Sequence, residues 1–312
     1  MGAYSDRIVE VLPDLFFIRR GYLNANHFAY RSVEPVLVDT GYLGGFEETE
    51  QALSGLGVNL SRVRLIVNTH CHCDHVGGNR IIQDRSGCET AMHKIGRHFI
   101  EARDDWSTWW RYYAQEAEFF RCDRSLEEGD IVSLGPHEFE VLYTPGHSAD
   151  GMVLFNKREK LLISSDTLWE HDMAVMTVRV EGSRALFSMQ ESLEKLRTLH
   201  VKTVCPGHGP IFTDFRGALA RAEQRVGRFL RDPAAVGNDL VKKIMVYTLM
   251  MKRGFREEDF LPYLMTTPWF PETVDLYFDR EYERVFCDTV EDFCARGVIV
   301  RSDGLLRTTV EP

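Results

Sequence analysis

Two kinds of hydrophobic run alternate along this 312-residue chain. Short runs rich in β-branched and aromatic residues, IVEVLPDLFFIR and HFAYRSVEPVLVDTG, are broken by turn residues and predict strands. FEETEQALSGLG has helical spacing, and RVRLIVNTH is an apolar strand running into a histidine cluster. The pattern returns in EFEVLYTPGH, KLLISSDTLW and VKTVCPGHG, each an apolar strand ending in a residue able to bind metal. Four such strand ends imply one shared site, carried on rigid elements with loops open to solvent. Helices such as RALFSMQESLEKLRTL lie between the strands and predict a layered α/β architecture.

From about residue 215 the texture becomes helical: FRGALARAEQRVGRFLRD, then Asp232-Pro233, then VKKIMVYTLMMKRG. A stretch interrupted by Pro262, Pro268 and Pro271 follows, and DTVEDFCARGVIVRSDGLLRTTV reads as a helix and a hairpin turning at Ser302-Asp303-Gly304. The expected organisation is a catalytic domain over 1–230 and a small winged-helix-like domain over 231–312. Repeats and low-complexity tracts are absent from the sequence.

Composition narrows the classes. At 44% hydrophobic and 27% charged the chain is globular in character. No run of about 18 uncharged apolar residues occurs, which speaks against a membrane-spanning helix. The opening MGAYSDRIVEVLPDLFFIRR has no basic region ahead of a long apolar run, unlike a secretory leader. Seven scattered cysteines fit reduced thiols better than a disulfide framework, so a cytoplasmic location is expected. The net charge of −10 disfavours a non-specific grip on nucleic acid, and residues 231–312, with 11 Lys and Arg against 15 Asp and Glu, have the wrong sign for tracking phosphates.

In Thr69-His70-Cys71-His72-Cys73-Asp74-His75, four metal-ligand types fall within six residues, and Gly77-Gly78 behind them predicts a sharp turn. On a tight loop His70 and His72 can face one point while Asp74 and His75 face a second beside it. Imidazole and carboxylate suit Zn²⁺ and similar ions. Cys71 and Cys73 alternate with these residues and should point away into packing. His147 after Thr144-Pro145-Gly146, Asp166 in Ser165-Asp166-Thr167, and His208 in Pro206-Gly207-His208-Gly209 each close a strand.

These motifs, with Asp39 at the end of VLVD, resemble in order the five motifs of the metallo-β-lactamase superfamily over residues 1 to about 230. The resemblance implies an αββα sandwich in which His70, His72 and His147 hold one ion and Asp74, His75 and His208 a second, with Asp166 bridging. Asp39 would orient ligand rings. Two divalent ions are expected, Zn²⁺ first, with Fe or Mn as alternatives. Two such ions about 3.5–4 Å apart share a water and lower its pKa toward about 7. The implied enzyme is thus a binuclear hydrolase using a metal-bridging hydroxide, with Asp74 passing a proton to the leaving group.

Within the family, Asp166 and Ser165-Asp166-Thr167-Leu168 are similar to the glyoxalase II-like branch, but WEHDMAVMTV replaces its basic glutathione-binding stretch. Lactonases of the fold carry a Tyr where Trp169 stands, and flavin-linked oxygen reductases a Glu in place of His72. TPGHSADGMVLF, CPGHGP and the helical tail most resemble the β-lactamase-like protein 2 branch, whose members act on RNA, thioesters or esters. The aromatic stretch Phe99, Trp106, Trp109, Trp110, Tyr112, Tyr113, Phe119 and Phe120 either lines an apolar cleft or packs as one amphipathic helix. Trp169, His171, Trp109 and Trp110 are the candidate pocket residues. The expected substrate is a small ester, thioester or lactone with an apolar portion. Nucleic acid and membrane are not expected partners, and the tail would wall the site and provide a homodimer contact. The alternatives are a phosphodiesterase or endoribonuclease of the same fold, or a non-catalytic, metal-stabilised binding module.

Overall fold

The structure, a computed structural model, describes residues 7–311. The reading of the opening segment as no secretory leader rests partly on Met1–Asp6, outside the described residues. Seven strands form one sheet in sequence order: β1 (Ile8–Leu12), β2 (Leu15–Ile18), β3 (His27–Tyr30), β4 (Val36–Val38), β5 (Leu65–Val67), β6 (Glu89–His93) and β7 (Arg124–Leu126). Its first half is antiparallel, and from β4 to β7 it is parallel. A second sheet runs β12-β11-β10-β9-β8, from β8 (Ile131–Leu134), β9 (His137–Tyr143), β10 (Met152–Asn156), β11 (Leu161–Ser165) and β12 (Thr203–Pro206). Only its β11–β12 pair is parallel.

The alternation of side chains along a strand explains the layering. Val36, Val38, Leu65 and Val67 share the core between the sheets with Phe139, Val141, Leu154 and Ile163. Leu37 and Ile66, one residue out of phase, face the helix Phe46–Gly55 through Ala52 and Leu53. On the other side Leu162, Val153 and Val204 meet the helices Ala185–Arg197 and Phe215–Arg231. Both faces of each sheet are therefore covered, giving the αββα sandwich.

The tail contains helices Pro233–Lys252, Glu257–Thr266, Trp269–Tyr277 and Tyr282–Ala295, and a small sheet of β13 (Phe255–Arg256), β14 (Ile299–Ser302) and β15 (Leu305–Thr308) in the order β13-β15-β14. Asp303 and Gly304, both at positive φ (53° and 73°), make the two-residue turn between β14 and β15 that a right-twisted hairpin favours. Leu240, Ile244 and Phe260 of the tail share one hydrophobic cluster with Cys71, Trp109 and Tyr113, so the tail closes over the loops at the strand ends. No helix among the described residues is long and apolar enough to cross a membrane.

The aromatic segment is not one amphipathic helix. Helix Lys94–Ala102 stops at Arg103, in the left-handed conformation, and residues 103–114 continue as turns. Asp104 caps them, its Oδ1 accepting from the amides of Trp106 and Ser107.

Candidate metal centre

The strand ends converge as the sequence predicts. His70 follows β5, His147 follows β9, Asp166 follows β11 and His208 follows β12. The short helix Cys73–Val76 carries Asp74 and His75. His70, His72 and His147 place donor atoms within 4.8 Å of one another; so do His70, His75 and Asp166, and also Asp74, His75 and His208. Asp166 Oδ2 is 3.5 Å from His75 Nε2, 3.3 Å from His147 Nε2 and 3.8 Å from His208 Nε2, a position between the two sets.

Backbone geometry explains how two of these carboxylates arrive. Asp39 and Ser165 both adopt the left-handed conformation (φ 58° and 47°) at the ends of β4 and β11, so each strand breaks sharply into the site. Asp39 Oδ1 then accepts from the Thr69 amide at 2.9 Å, and Oδ2 pairs with His75 Nδ1 at 2.8 Å. Gly77 and Gly78 do not make the expected sharp turn: both have ordinary helical backbone angles. Gly77 is needed for closeness, since a Cβ there would stand 2.2 Å from the Leu43 nitrogen. A Cβ on Gly207 would likewise stand 2.1 Å from Asp166 Oδ1.

Charge is unevenly shared. Burial and the imidazoles of His75 and His72 hold His70 well below the usual histidine range, and burial with His147 and His75 does the same to His72. Burial opposes charge on His75, but Asp39, Asp166 and Asp74 outweigh it and push that ring well above its ordinary value. Asp166 is held well below the carboxylate range, its burial being outweighed by His208 and His75.

The donor set fits divalent ions. The buried Nε2 atoms of His70 and His75 have no hydrogen-bond partner among the described residues. A buried polar atom left this way costs about 1–3 kcal/mol, which an ion accepting the lone pair offsets. Five imidazoles and two carboxylates are the ligand chemistry of Zn²⁺ and its neighbours. Cys71 and Cys73 are fully buried in the hydrophobic cluster and belong to none of the three donor groups.

The cluster opens into a cavity of about 630 Å³, and His72, Asp74, His147, Asp166 and His208 form its floor. Trp109, Trp169 and His171 line it as anticipated. The Trp169 indole N–H donates to Asp166 Oδ1 at 3.2 Å, while the His171 side chain is 77% exposed at the rim. Trp110 is not a pocket residue of this cavity. It packs on Phe119, and its N–H donates to the Cys71 carbonyl at 3.1 Å, because the turns after Arg103 direct Trp109 and Trp110 to opposite sides.

Several lining residues escaped the sequence reading. Tyr22 stacks parallel to His208, and Tyr247 donates its hydroxyl to the Leu23 carbonyl. Arg225, Lys242, Lys243 and Arg296 bring cations to the cavity wall of a chain whose net charge is −10. They are ion-paired: Arg225 with Asp172, Lys243 with Asp239 at 2.8 Å, and Lys242 and Arg296 with Asp292. A signal for two of them existed, since Lys242-Lys243 interrupts the apolar run of the helix Pro233–Lys252. Tyr22 and Asp172 lie in no recognisable motif.

A four-layered sandwich whose strand ends gather histidines and aspartates around a cavity defines an α/β protein with a cluster of side chains able to hold metal ions. Residues 34–208 match the Metallo-beta-lactamase superfamily, and the chain belongs to it. Among curated proteins it is similar to the acyl-coenzyme A thioesterase MBLAC2 of Gallus gallus, 29% identical over 166 residues covering 48% of this chain and 58% of that protein. The hydroxyacylglutathione hydrolase of Rhodospirillum rubrum is 31% identical over 139 residues, 45% of each chain. The chain spans about half the length of these two relatives. A metallo-beta-lactamase family protein from Thermus thermophilus shares the fold with a TM-score of 0.61 at 19% identity, over 96% of this chain and 100% of that one.

Proposed function

We propose that the chain is a binuclear metal-dependent hydrolase acting on an ester, thioester or lactone with an apolar portion. The observation that carries this reading is the cavity: the His/Asp cluster forms its floor, and Trp109, Tyr113, Val175, Ile244 and Met250 form an apolar wall beside it. An acyl or aromatic group buried there gains about 25 cal/mol per Å² of apolar surface removed from water. The thioesterase named among the relatives agrees with a carbonyl substrate.

His70, His72 and His147 would hold one ion, and Asp74, His75 and His208 the other, with Asp166 between them. The chemistry that divalent ions, Zn²⁺ by the nature of the donors, would supply there is polarisation of a substrate oxygen and hydroxide available near neutral pH. Asp39 keeps His75 in one tautomer, with Nδ1–H donating to its carboxylate, so that Nε2 faces the cluster. Asp74, whose Oδ2 lies 3.1 Å from His208 Nε2 at the cavity floor, would take a proton and return it to the leaving group. Trp169 orients Asp166 through its indole N–H. Residues 231–312 would be a winged-helix-like domain whose helices supply the far wall.

The test is a hydrolysis screen of the metal-loaded chain against thioesters, lactones, aryl esters, phosphodiesters, RNA and β-lactams. Turnover of a carbonyl ester, thioester or lactone far above RNA and β-lactams is expected. RNA cleaved at a kcat/KM above every carbonyl substrate would replace this reading with a ribonuclease.

A further inference from the structure

Four of the five cluster histidines have the ring nitrogen that faces away from the cluster held by a hydrogen bond. His75 Nδ1 pairs with Asp39 at 2.8 Å, His147 Nδ1 with the Val175 carbonyl at 2.8 Å, His208 Nδ1 with the Gly21 carbonyl at 3.3 Å, and His70 Nδ1 with Thr69 Oγ1 at 3.2 Å. His72 differs. Its Nδ1 faces His147 Nε2 at 3.0 Å, and its buried Nε2 has no hydrogen-bond partner among the described residues. What lies against this ring is the indole of Trp109, with centroids 3.8 Å apart and planes 30° from parallel. The same indole meets His147 edge-on at 5.0 Å.

Trp109 is held there against its own backbone preference. Its φ is +70°, a conformation that costs free energy for a bulky residue and persists only where the surroundings over-determine it. They do so here. The Trp109 amide donates to the Trp106 carbonyl, its own carbonyl accepts from the Tyr113 amide, and its indole N–H donates to Glu181 Oε1 at 2.6 Å. Glu181 ends the short helix Val178–Glu181, and Thr177 before that helix pairs with the Tyr113 hydroxyl. One stretch of chain, residues 175–181, therefore anchors His147 through Val175 and Trp109 through Glu181.

We infer that Trp109 is a positioning residue for His72: its indole face sets the ring plane that hydrogen bonds set for the other four histidines, and Glu181 fixes the indole. The inference rests on the reading that His70, His72 and His147 hold an ion. A residue that merely walled the substrate cavity would alter KM and leave ion binding alone. A positioning residue weakens the three-histidine site and spares the site of Asp74, His75 and His208.

The experiment titrates the full chain with two equivalents of Co²⁺ in competition with a chelator, following the absorption of each site, for wild type, Trp109→Phe, Trp109→Leu and Glu181→Leu. Ring-nitrogen NMR of the metal-free proteins follows the His72 tautomer. Trp109→Leu should weaken the three-histidine site by about tenfold or more, the size seen when partners of ligand residues are removed. The His72 ring should then average between tautomers. Trp109→Phe keeps a flat face and should recover most of the affinity, and Glu181→Leu should weaken the same site to an intermediate degree. Two ions at wild-type affinity in Trp109→Leu, with an unchanged His72 spectrum, would overturn the inference alone; no ion bound by the wild type would overturn the metal reading and this inference together. If Trp109→Leu fails to fold, unaltered affinity in Glu181→Leu decides against the anchoring.

Discussion

Glu181 carries its carboxyl under the Trp109 indole, beside the buried Asp150. Burial pushes this acid up to about 8, with Asp150 adding to the rise and the Trp109 N–H opposing it. Near neutral pH the group is thus mostly protonated. An acid whose folded value lies above its unfolded one contributes stability that is complete below the unfolded value, near 4.5, and lost as pH rises through about 8. Asp150, raised by burial to about 6, acts in the same direction over a lower range. In metal-free protein the unfolding free energy should therefore fall between these limits, Glu181 accounting for a slope of up to about 1.4 kcal/mol per pH unit. Glu181→Gln, which cannot ionise, should flatten that part of the slope in urea titrations run from pH 4 to 9; an unaltered slope would mean the carboxyl is already ionised. Nothing in the sequence pointed to this residue. The cluster from His70 to His75 was legible because four donors crowd into six positions, whereas Glu181 reaches the site through a contact spanning 72 residues.

At the scale of elements, strands were readable wherever side chains alternate between two different cores, as at Val36-Leu37-Val38 and Leu161-Leu162-Ile163. Strand β7, three residues long with two of them exposed, offers no such pattern and exists only through its pairing with β6. The segment 103–114 misled for a related reason. Its aromatics are dense enough for a helix stripe, but the left-handed residues Arg103, Trp109 and Ala114 break any helical path. The loop after β11 is tied to the tail by a network the sequence did not announce. Lys243 Nζ donates to the Met173 carbonyl at 2.5 Å and pairs with Asp239 at 2.8 Å and Asp172 at 3.3 Å. Lys243→Met should leave the Asp239 carboxylate without its closest partner and loosen the loop that carries Trp169. A loss of about 1–3 kcal/mol in urea unfolding is expected, the range for an uncompensated buried polar group. The KM should rise more than kcat falls, because this network touches the cavity wall rather than the cluster. Unchanged stability together with unchanged KM would show that the network is a solvated surface pair.

For the whole molecule, net charge does not say where individual charges sit. A chain of −10, with a tail of acidic balance, lines its cavity with four cations and four aspartates, since helix faces and not totals decide what a cavity meets. A layered α/β architecture with one shared site was legible because four strands end in ligand-type residues, while the αββα order followed from the resemblance those motifs carry. That the tail walls the site was expected; which residues make the closure was not legible, because it depends on packing between residues more than 100 positions apart, such as Trp109 and Leu240. That packing bears on how the fold responds to losing its ions. Four hydrophobic clusters, from the sheet interface to the tail, involve none of the histidines or aspartates of the site. The folded chain should therefore survive chelation, unlike a small zinc-folded domain. Ions bound only by the native state still add RT ln(1 + [L]/Kd), about 4 kcal/mol for a site at a thousandfold excess over its Kd. Dialysis against a strong chelator should accordingly leave the far-ultraviolet circular dichroism unchanged and lower Tm by several degrees, with both activity and Tm returning on addition of Zn²⁺. Loss of helical signal on chelation would mean that the cluster holds the loops, and through them the tail, in place; an unchanged Tm with full activity would remove the ions from the mechanism.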